Sequence, residues 1–168
     1  MGADRPTKYG GYYAWGETDE KEYYDWSTYK WCKGSSKSIT KYCSDRSYGT
    51  VDNKEILDPE DDVAHVKWGG DWRMPTIQEL RELYEECTWS YESGGYRVTG
   101  PNGNSIFLPA AGSRKGTSLE RCGSIGHYWS ATLSGNDEAV YLGFYDGTHT
   151  WDDSNRSYGR NVRPVTDK

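Results

Sequence analysis

The sequence predicts a single α+β domain over residues 1–168, with two helices and several short antiparallel strands. Three observations support this fold class. The helix-start signals stand in the first half, the second half alternates strand and turn signals, and no linker or repeat divides the chain. The length also fits one domain with its own core.

The composition predicts an aromatic core. Val, Ile, Leu and Phe are scarce, whereas 8 Trp and 15 Tyr supply large rings, each able to bury roughly 150–250 Å². The net charge of -6 is modest and argues against disorder. The acidic balance gives no support to nucleic acid as a partner, and no apolar run approaches the ~20 residues of a membrane span. We therefore expect neither nucleic acid binding nor membrane insertion by this domain.

The four cysteines permit two interpretations. Cys32, Cys43, Cys87 and Cys122 allow three disulfide pairings, and none forms a CxxC pair of the kind found in zinc ribbons or thioredoxin-type sites. Export would favour disulfides, with Cys32–Cys43 closing the shortest loop. Four half-buried free thiols are an equally good interpretation.

Both predicted helices have recognisable starts. Asp58, followed by Pro59, is expected to cap a short helix that ends before Gly69. Thr76 and Glu79 form a capping-box sequence, which predicts a second helix from about residue 77 to residue 87.

Acidic residues near these helices suggest two kinds of site. A cluster before the first helix resembles a calcium loop, but helix capping accounts for most of it: Asp52, Asp58, Asp61 and Asp62. Glutamates on the second helix offer catalytic carboxylates, but a solvated helix face is favoured: Glu79, Glu82, Glu85 and Glu86. No metal site and no catalytic residue is therefore expected here.

The second half contains strand signals separated by turns. Residues 96–99 and 105–108 flank an Asn-Gly turn and predict a hairpin. Further strands are predicted at the following ranges: 128–133, 140–145, 148–152 and 160–165.

The Asp146-Gly147 pair predicts a tight turn between two of these strands. Period-two alternation then places Val140, Leu142 and Phe144 on the core face of the preceding strand. Tyr141, Gly143 and Tyr145 are placed on its outer face.

Five segments resemble the Fibrobacter succinogenes major paralogous domain family, which is common in gut Bacteroidetes. They are GYYAWGET (residues 11–18), WGGDWRMPT (68–76), FLPAAG (107–112), YWSAT (128–132) and GRNVRPV (159–165). The resemblance runs from about residue 9 to residue 165. It implies a C-type lectin fold, in the variant shared with formylglycine-generating enzymes.

The last forty residues resemble the variable region of proteins diversified by retroelements, which mutate adenines, chiefly in Asn codons. Such codons cannot become Lys, Glu, Gln, Trp or Met codons, and residues 127–167 contain no Lys, Gln or Met and a single Glu. The candidate variable region is 127–165. Its candidate ligand-binding residues are Asn136, Asp137, Tyr141, Gly143, Tyr145, Asp146, Thr148, His149, Asp153, Ser154, Ser157, Tyr158, Arg160 and Asn161.

The same resemblance assigns other residues to an invariant scaffold: Trp129, Trp151, Arg156, Gly159, Val162 and Arg163. We expect the candidate ligand-binding residues to cluster on one exposed face. Trp129, Trp151, Arg156 and Val162 are expected to be largely buried. Tyr, Ser, Gly and Asn suit a recognition surface, because Tyr gives rigid area and small residues adapt hydrogen bonds.

The sequence lacks the motifs that carry the known chemistries of related folds. The Glu-Pro-Asn, Gln-Pro-Asp and Trp-Asn-Asp motifs of calcium-dependent lectins are missing, and the cysteine pair of formylglycine-generating enzymes cannot be placed. His65, His127 and His149 lack the spacing of a metal site. We expect no enzyme activity, cofactor or metal, with a carboxylate-pair glycosidase as a weak alternative.

The sequence thus predicts a non-catalytic display domain that binds a protein or glycan ligand through a diversified C-terminal face. The alternative is a surface adhesin or structural module of the same family without diversification. The resemblance implies an extracellular or cell-surface location, although residues 1–6 do not form a signal peptide.

Overall fold

A computed structural model of the chain describes residues 1–145 and 147–166. Residues 1–58 form turns and isolated bridges. After them come a 3-10 turn at Pro59–Asp61, helices α1 (Val63–Trp68) and α2 (Ile77–Glu86), and strands β1 (Trp72–Arg73), β2 (Thr88–Glu92), β3 (Gly95–Thr99), β4 (Ser105–Pro109), β5 (Ser113–Lys115), β6 (Ser118–Glu120), β7 (Ile125–Leu133), β8 (Glu138–Tyr145), β9 (Thr148–Asn155) and β10 (Val165–Thr166). The predicted α+β class, with two helices and several antiparallel strands, is confirmed.

The strands form four small antiparallel sheets: β1-β10, β2-β3-β4, β5-β6 and β7-β8-β9. The hairpin predicted around residues 102–103 is confirmed, since Thr99 lies opposite Ser105. The turn after β8 is confirmed by the pairing of Tyr145 with Thr148. Asp146 itself lies outside the described residues. Strands β1, β2, β5 and β6 were not predicted.

The predicted strand at residues 160–165 is wrong over most of its length. Arg160 forms a single bridge with Tyr13, and Asn161 forms one with Tyr128. Because neighbouring residues pair with different segments, no continuous ladder develops before β10. Pro164 also lacks the N–H that a ladder requires.

Helix α2 begins as predicted. The Thr76 hydroxyl accepts a hydrogen bond from the Glu79 amide, and the Glu79 carboxylate accepts one from the Thr76 amide. For α1 the predicted cap is wrong, because Asp62 accepts from the amides of Ala64 and His65 while the Asp58 side chain makes no cap bond. Within the described residues, neither helix is long and apolar enough to cross a membrane.

The core is aromatic, as the composition predicts. Trp15 and Trp129 are fully buried, and each indole Nε1 donates to a backbone carbonyl at 2.9 Å. The Tyr29 hydroxyl donates to the Trp15 carbonyl at 2.7 Å. Large rings can fill this core because these polar ring atoms find backbone acceptors, whereas the buried Tyr96 hydroxyl has no partner among the described residues.

All four cysteines are free thiols. Cys43 is buried and Cys122 is exposed, while Cys32 and Cys87 lie half-buried. Of the two interpretations left open by the sequence, the structure therefore has the free thiols.

Candidate ligand-binding cleft

The two faces of the β7-β8-β9 sheet have different surroundings. Val140, Leu142 and Phe144 are buried, as predicted, and the last two pack in one cluster with Leu80 of α2. Tyr141, Gly143 and Tyr145 alternate with them and lie on the opposite face. The side chains that reach this opposite face are therefore not needed to hold α2 on the sheet.

This opposite face forms the floor of a cleft of about 750 Å³, here called the sheet cleft. Strand pairing places Tyr141 beside Asp152, Gly143 beside Thr150 and Tyr145 beside Thr148. The rest of the cleft is lined by Tyr84 of α2 and by residues of the β5-β6 hairpin, β7 and the C-terminal segment, among them Ser113, Lys115, Glu120, Arg121, His127, Tyr158 and Arg160. Five separate stretches of chain thus build one concave surface.

Gly143 allows two rings to meet on the cleft floor. A Cβ at this position would lie 2.9 Å from a ring carbon of Tyr141 and 3.3 Å from one of His127. The two rings contact each other edge to face, with 4.9 Å between their centroids. A side chain at position 143 would push them apart.

Arg160 is buried between two aromatic rings. Its guanidinium carbon lies 3.7 Å from the centroid of Tyr141 and 4.7 Å from that of Trp129. Its Nε and Nη1 atoms are shielded from solvent and have no hydrogen-bond acceptor among the described residues. Burial lowers the pKa of Arg160 to about 10, and the neighbouring Tyr141 opposes that shift. The side chain therefore remains a cation at neutral pH.

His127 beside it is a neutral imidazole. Burial lowers its pKa to about 3, and the positive charges of Arg160 and Arg121 add to the effect. Its Nδ1 has no hydrogen-bond partner among the described residues. With so low a pKa, His127 is a poor base near pH 7 and suits ligand contact better than proton transfer.

The comparisons with known proteins bear on this arrangement. A family model described as Lcl C-terminal domain matches residues 15–166. The chain belongs to this family. The match supports the resemblance to the Fibrobacter succinogenes major paralogous domain family, and it takes in all of the strands that line the sheet cleft. No curated protein and no solved structure matches the chain.

In this Lcl C-terminal domain the sheet cleft brings together half of the predicted ligand-binding residues. Its lining includes Tyr141, Gly143, Tyr145, Thr148, His149, Tyr158 and Arg160. His149 only borders the cleft, since its ring stacks on Trp89 at 4.4 Å on the α2 side of the sheet.

Six predicted residues lie away from the cleft, and four of them are not buried. Asn136 holds a neighbouring loop, because its Oδ1 accepts from the amide of Ser44 at 2.7 Å. Asp137 accepts from the Arg156 amide through its carbonyl, and Asp153 and Ser154 lie farther along β9, opposite Val140 and Ala139. The expectation of one continuous face is therefore wrong for these four.

Four predicted residues are buried, which contradicts the expected exposure: Gly143, Ser157, Arg160 and Asn161. Ser157 donates to Asn155 at 2.8 Å, and the Asn161 amide donates to the carbonyls of Tyr9 and Gly11. The Asn161 side chain thus holds the backbone of residues 9–11 in place, whereas the Ser157 hydroxyl bonds a neighbouring side chain. Arg160 is only 4% exposed but still lines the cleft.

The predicted scaffold is mostly buried. Trp129, Arg156 and Val162 have the expected burial; Gly159 is also buried and Arg163 half-buried. The expected burial of Trp151 is wrong, because this residue is 39% exposed. Trp151 lies on the edge strand β9, and the guanidinium carbon of Arg81 lies 4.5 Å from the centroid of its ring. Among the described residues, no further layer of side chains packs over this ring.

Sequence reasoning missed several residues of the cleft. Thr150 and Asp152 alternate with His149 and Trp151, so the period-two pattern of β9 contained a usable signal. The wall formed by β5 and β6 had no such signal, because only the tertiary fold brings that hairpin to the sheet.

Part of the predicted acidic cluster surrounds the ammonium group of a lysine. The Lys41 ammonium lies 2.7 Å from Asp58, 2.6 Å from Asp61 and 3.7 Å from Glu60. Burial alone would lower the pKa of Lys41, but its hydrogen bonds to Asp58 and Asp61 outweigh this and raise it. The Lys41 ammonium thus lies among Asp58, Glu60 and Asp61, the carboxylates whose spacing would suit a metal ion.

Proposed function

We propose that this Lcl C-terminal domain is a non-catalytic ligand-binding domain, and that the sheet cleft is its binding site. The observation that supports this most directly is the meeting of Tyr141, Tyr145, Thr148, Tyr158 and Arg160 in one concave surface. The cleft volume falls within the ~300–1,000 Å³ typical of ligand sites. Its aromatic rings and small hydroxyl side chains suit recognition of a protein or glycan ligand.

The proposal extends to the fold type and to diversification. We propose a C-type lectin fold in which a retroelement diversifies residues within 127–165. The architecture favours such a scheme at Tyr145 and Thr148, which are exposed and lie on the face opposite the buried Val140, Leu142 and Phe144. The buried Ser157 and Asn161 are the weakest members of the diversified set.

A second candidate is a surface adhesin or structural module of the same family with an undiversified cleft. The half-buried Tyr141, wedged between Arg160 and His127, favours it, since a packed ring tolerates fewer replacements than an exposed one. Both candidates place the domain at the cell surface or outside the cell and need no cofactor. Enzyme activity is the least supported, given the neutral, weakly basic His127.

The diversification proposal is tested by sequencing the genomic neighbourhood of the coding region. We expect an inexact copy of the codons for residues 127–165 that differs at adenines, close to a reverse transcriptase gene. If the neighbourhood contains no such copy, diversification is excluded and the undiversified candidate takes its place.

The binding proposal is tested with two displayed libraries selected against the same panel of unrelated proteins and glycans. The cleft library randomises Tyr145, Thr148, Thr150 and Tyr158; the control library randomises the exposed Glu22, Lys33, Arg46 and Thr117. We expect both libraries to fold and only the cleft library to yield specific binders. Binders at equal frequency from both libraries, or none from either, would contradict the assignment of the cleft.

A further inference from the structure

Arg160 is a buried cation without a matching anion. Among the described residues, no carboxylate lies within ion-pair distance of its guanidinium, and Asp152 acts on it only at longer range. Two of its N–H groups also lack acceptors. Burying a charge and leaving its donors unpaired both cost free energy. Arg156, buried to the same degree, donates to four acceptors, so the fold is able to satisfy an arginine where only structure is required.

The charges lining the sheet cleft favour a ligand with one negative charge. The cations are Lys115, Arg121 and Arg160, and the acids are Glu120 and Asp152. With His127 neutral, the lining has one positive charge in excess. A dianion such as phosphate would leave a surplus negative charge close to Glu120 and Asp152.

The groups around Arg160 also suit a planar anion. The guanidinium lies against the ring of Tyr141, and its unpaired Nε and Nη1 atoms are shielded from solvent, so a ligand reaches them only when the covering side chains move aside. Arginine donors match carboxylate oxygens well. We propose that the sheet cleft binds its ligand through a single carboxylate group that accepts hydrogen bonds from Arg160. This inference rests on the proposed function of the cleft as the ligand site.

The test uses small probes in matched pairs. N-acetylglycine represents a peptide carboxylate and glucuronate a sugar acid; N-acetylglycinamide and glucuronamide are their neutral counterparts. Each is titrated into the isotope-labelled domain while the Nε–H resonance of Arg160 and the amide resonance of Gly143 are followed by NMR. We expect at least one acid to shift both resonances with an affinity at least ~10-fold above that of its amide, since a charge-assisted hydrogen bond is stronger than a neutral one.

The pair that responds identifies the source of the carboxylate. A response to N-acetylglycine indicates a peptide ligand, and a response to glucuronate indicates an acidic sugar. Equal binding of acid and amide in both pairs overturns the inference, as does tighter binding of inorganic phosphate than of either acid. If no acid binds while the cleft library still yields binders, the carboxylate inference fails and the proposed function stands. If no acid binds and the cleft library yields no specific binders, both the carboxylate inference and the proposed function are overturned.

Two substitutions on β9 provide a matched pair for the same measurement. Asp152→Asn removes a negative charge from the cleft, and Asp153→Asn removes one from the adjacent exposed position outside it. We expect Asp152→Asn to tighten acid binding by roughly 2–5-fold and Asp153→Asn to leave it within error. Arg160→Gln should abolish the preference for acid over amide. Retention of that preference in a folded Arg160→Gln variant would contradict the role of this side chain.

Discussion

At the scale of single residues, two buried arginines differ in whether their N–H donors are hydrogen-bonded. Arg156 donates from Nε to the Tyr29 hydroxyl, and from its other nitrogens to the carbonyls of Lys41, Tyr42 and Asn136, at 2.7–2.9 Å. It thereby joins the end of β9 to two distant loops. Arg160 has comparable burial and unpaired donors. Only the arrangement of Arg156 is explained by its contribution to stability alone.

Replacing Arg156 with lysine should destabilise the domain severely. A lysine ammonium retains the charge but cannot reach acceptors that a planar guanidinium spans, so at least two buried carbonyls lose a donor. We expect Arg156→Lys to lower the free energy of unfolding by about 3 kcal/mol or more, measured by urea denaturation. The control is Arg46→Lys at an exposed site, which should change it by under ~0.5 kcal/mol. Equal effects of the two substitutions would show that the Arg156 hydrogen bonds contribute little.

His127 should make stability depend on pH above the range in which carboxylates titrate. Its pKa is lowered from 6.5 to about 3, so the native state binds fewer protons than the unfolded chain. The contribution is complete above pH 6.5 and is lost as the pH falls towards 3. His149, whose pKa burial also lowers, acts in the same direction.

We therefore expect wild-type stability to fall between pH 6.5 and pH 4.5, and His127→Phe to reduce that fall. Urea midpoints at the two pH values measure it. Glu79→Gln is the control: hydrogen bonds from Arg73 hold the pKa of Glu79 at about 2 despite burial, so its contribution disappears only below pH 4.5. A His127→Phe variant with the full wild-type loss would place the titrating group elsewhere.

At the scale of elements, α2 is the layer that covers the core face of the β7-β8-β9 sheet. Its Leu80 packs with Leu142 and Phe144, and its start is held by the Thr76 capping box. The cleft lies mainly on the other side of the same sheet, and α2 contributes only Tyr84 to its lining. Damage to α2 should therefore affect stability before it affects the cleft side chains.

Removing the cap tests this separation. Thr76→Ala deletes the hydroxyl that accepts from the Glu79 amide, and we expect a loss of about 1 kcal/mol in the free energy of unfolding. Thr117→Ala, at an exposed position in the β5-β6 turn, should be neutral. In native conditions the NMR resonances of the cleft residues should not move in Thr76→Ala. Large shifts at Gly143 would indicate that the helix and cleft are coupled.

The sequence predicted those elements whose signals are local. The Thr76 cap, both glycine-containing hairpin turns and the alternation in β8 all depend on neighbours within a few residues. The exposure of Trp151 and the burial of Arg160 and Asn161 depend on which distant segment covers them. Period-two patterns identify the two faces of a strand, but not whether a face meets a helix, a loop or solvent.

At the scale of the whole molecule, tyrosines replace many of the aliphatic residues of an ordinary core. Burial raises the pKa of Tyr12 and Tyr13 to about 12, and it raises the pKa of Tyr29, Tyr42 and Tyr128 further. The native state thus retains protons that the unfolded chain would release near pH 10. Their contribution to stability is complete below that pH and is lost as the pH rises through the folded values.

Alkaline unfolding should follow from this core. We expect the tyrosinate absorbance to rise in two stages, with the buried group ionising only as the domain unfolds. Tyr128→Phe removes one such hydroxyl, which donates to the Pro109 carbonyl at 2.8 Å. The variant should lose about 1 kcal/mol at neutral pH yet show a shallower decline above pH 10. A single smooth titration of all tyrosines in the folded protein would contradict this interpretation.

The alternation of β8 has an evolutionary consequence. Val140, Leu142 and Phe144 face the core while Tyr141, Gly143 and Tyr145 face the cleft, so two selective pressures act on interleaved positions of one strand. Replacement rates among descendants of this chain should be slow at the core positions and fastest at the exposed Tyr145, because the packing of Tyr141 and Gly143 against neighbouring rings limits replacement there. New specificities would then arise by point substitution at Tyr145 without compensating changes in the interior and without insertions that shift the register.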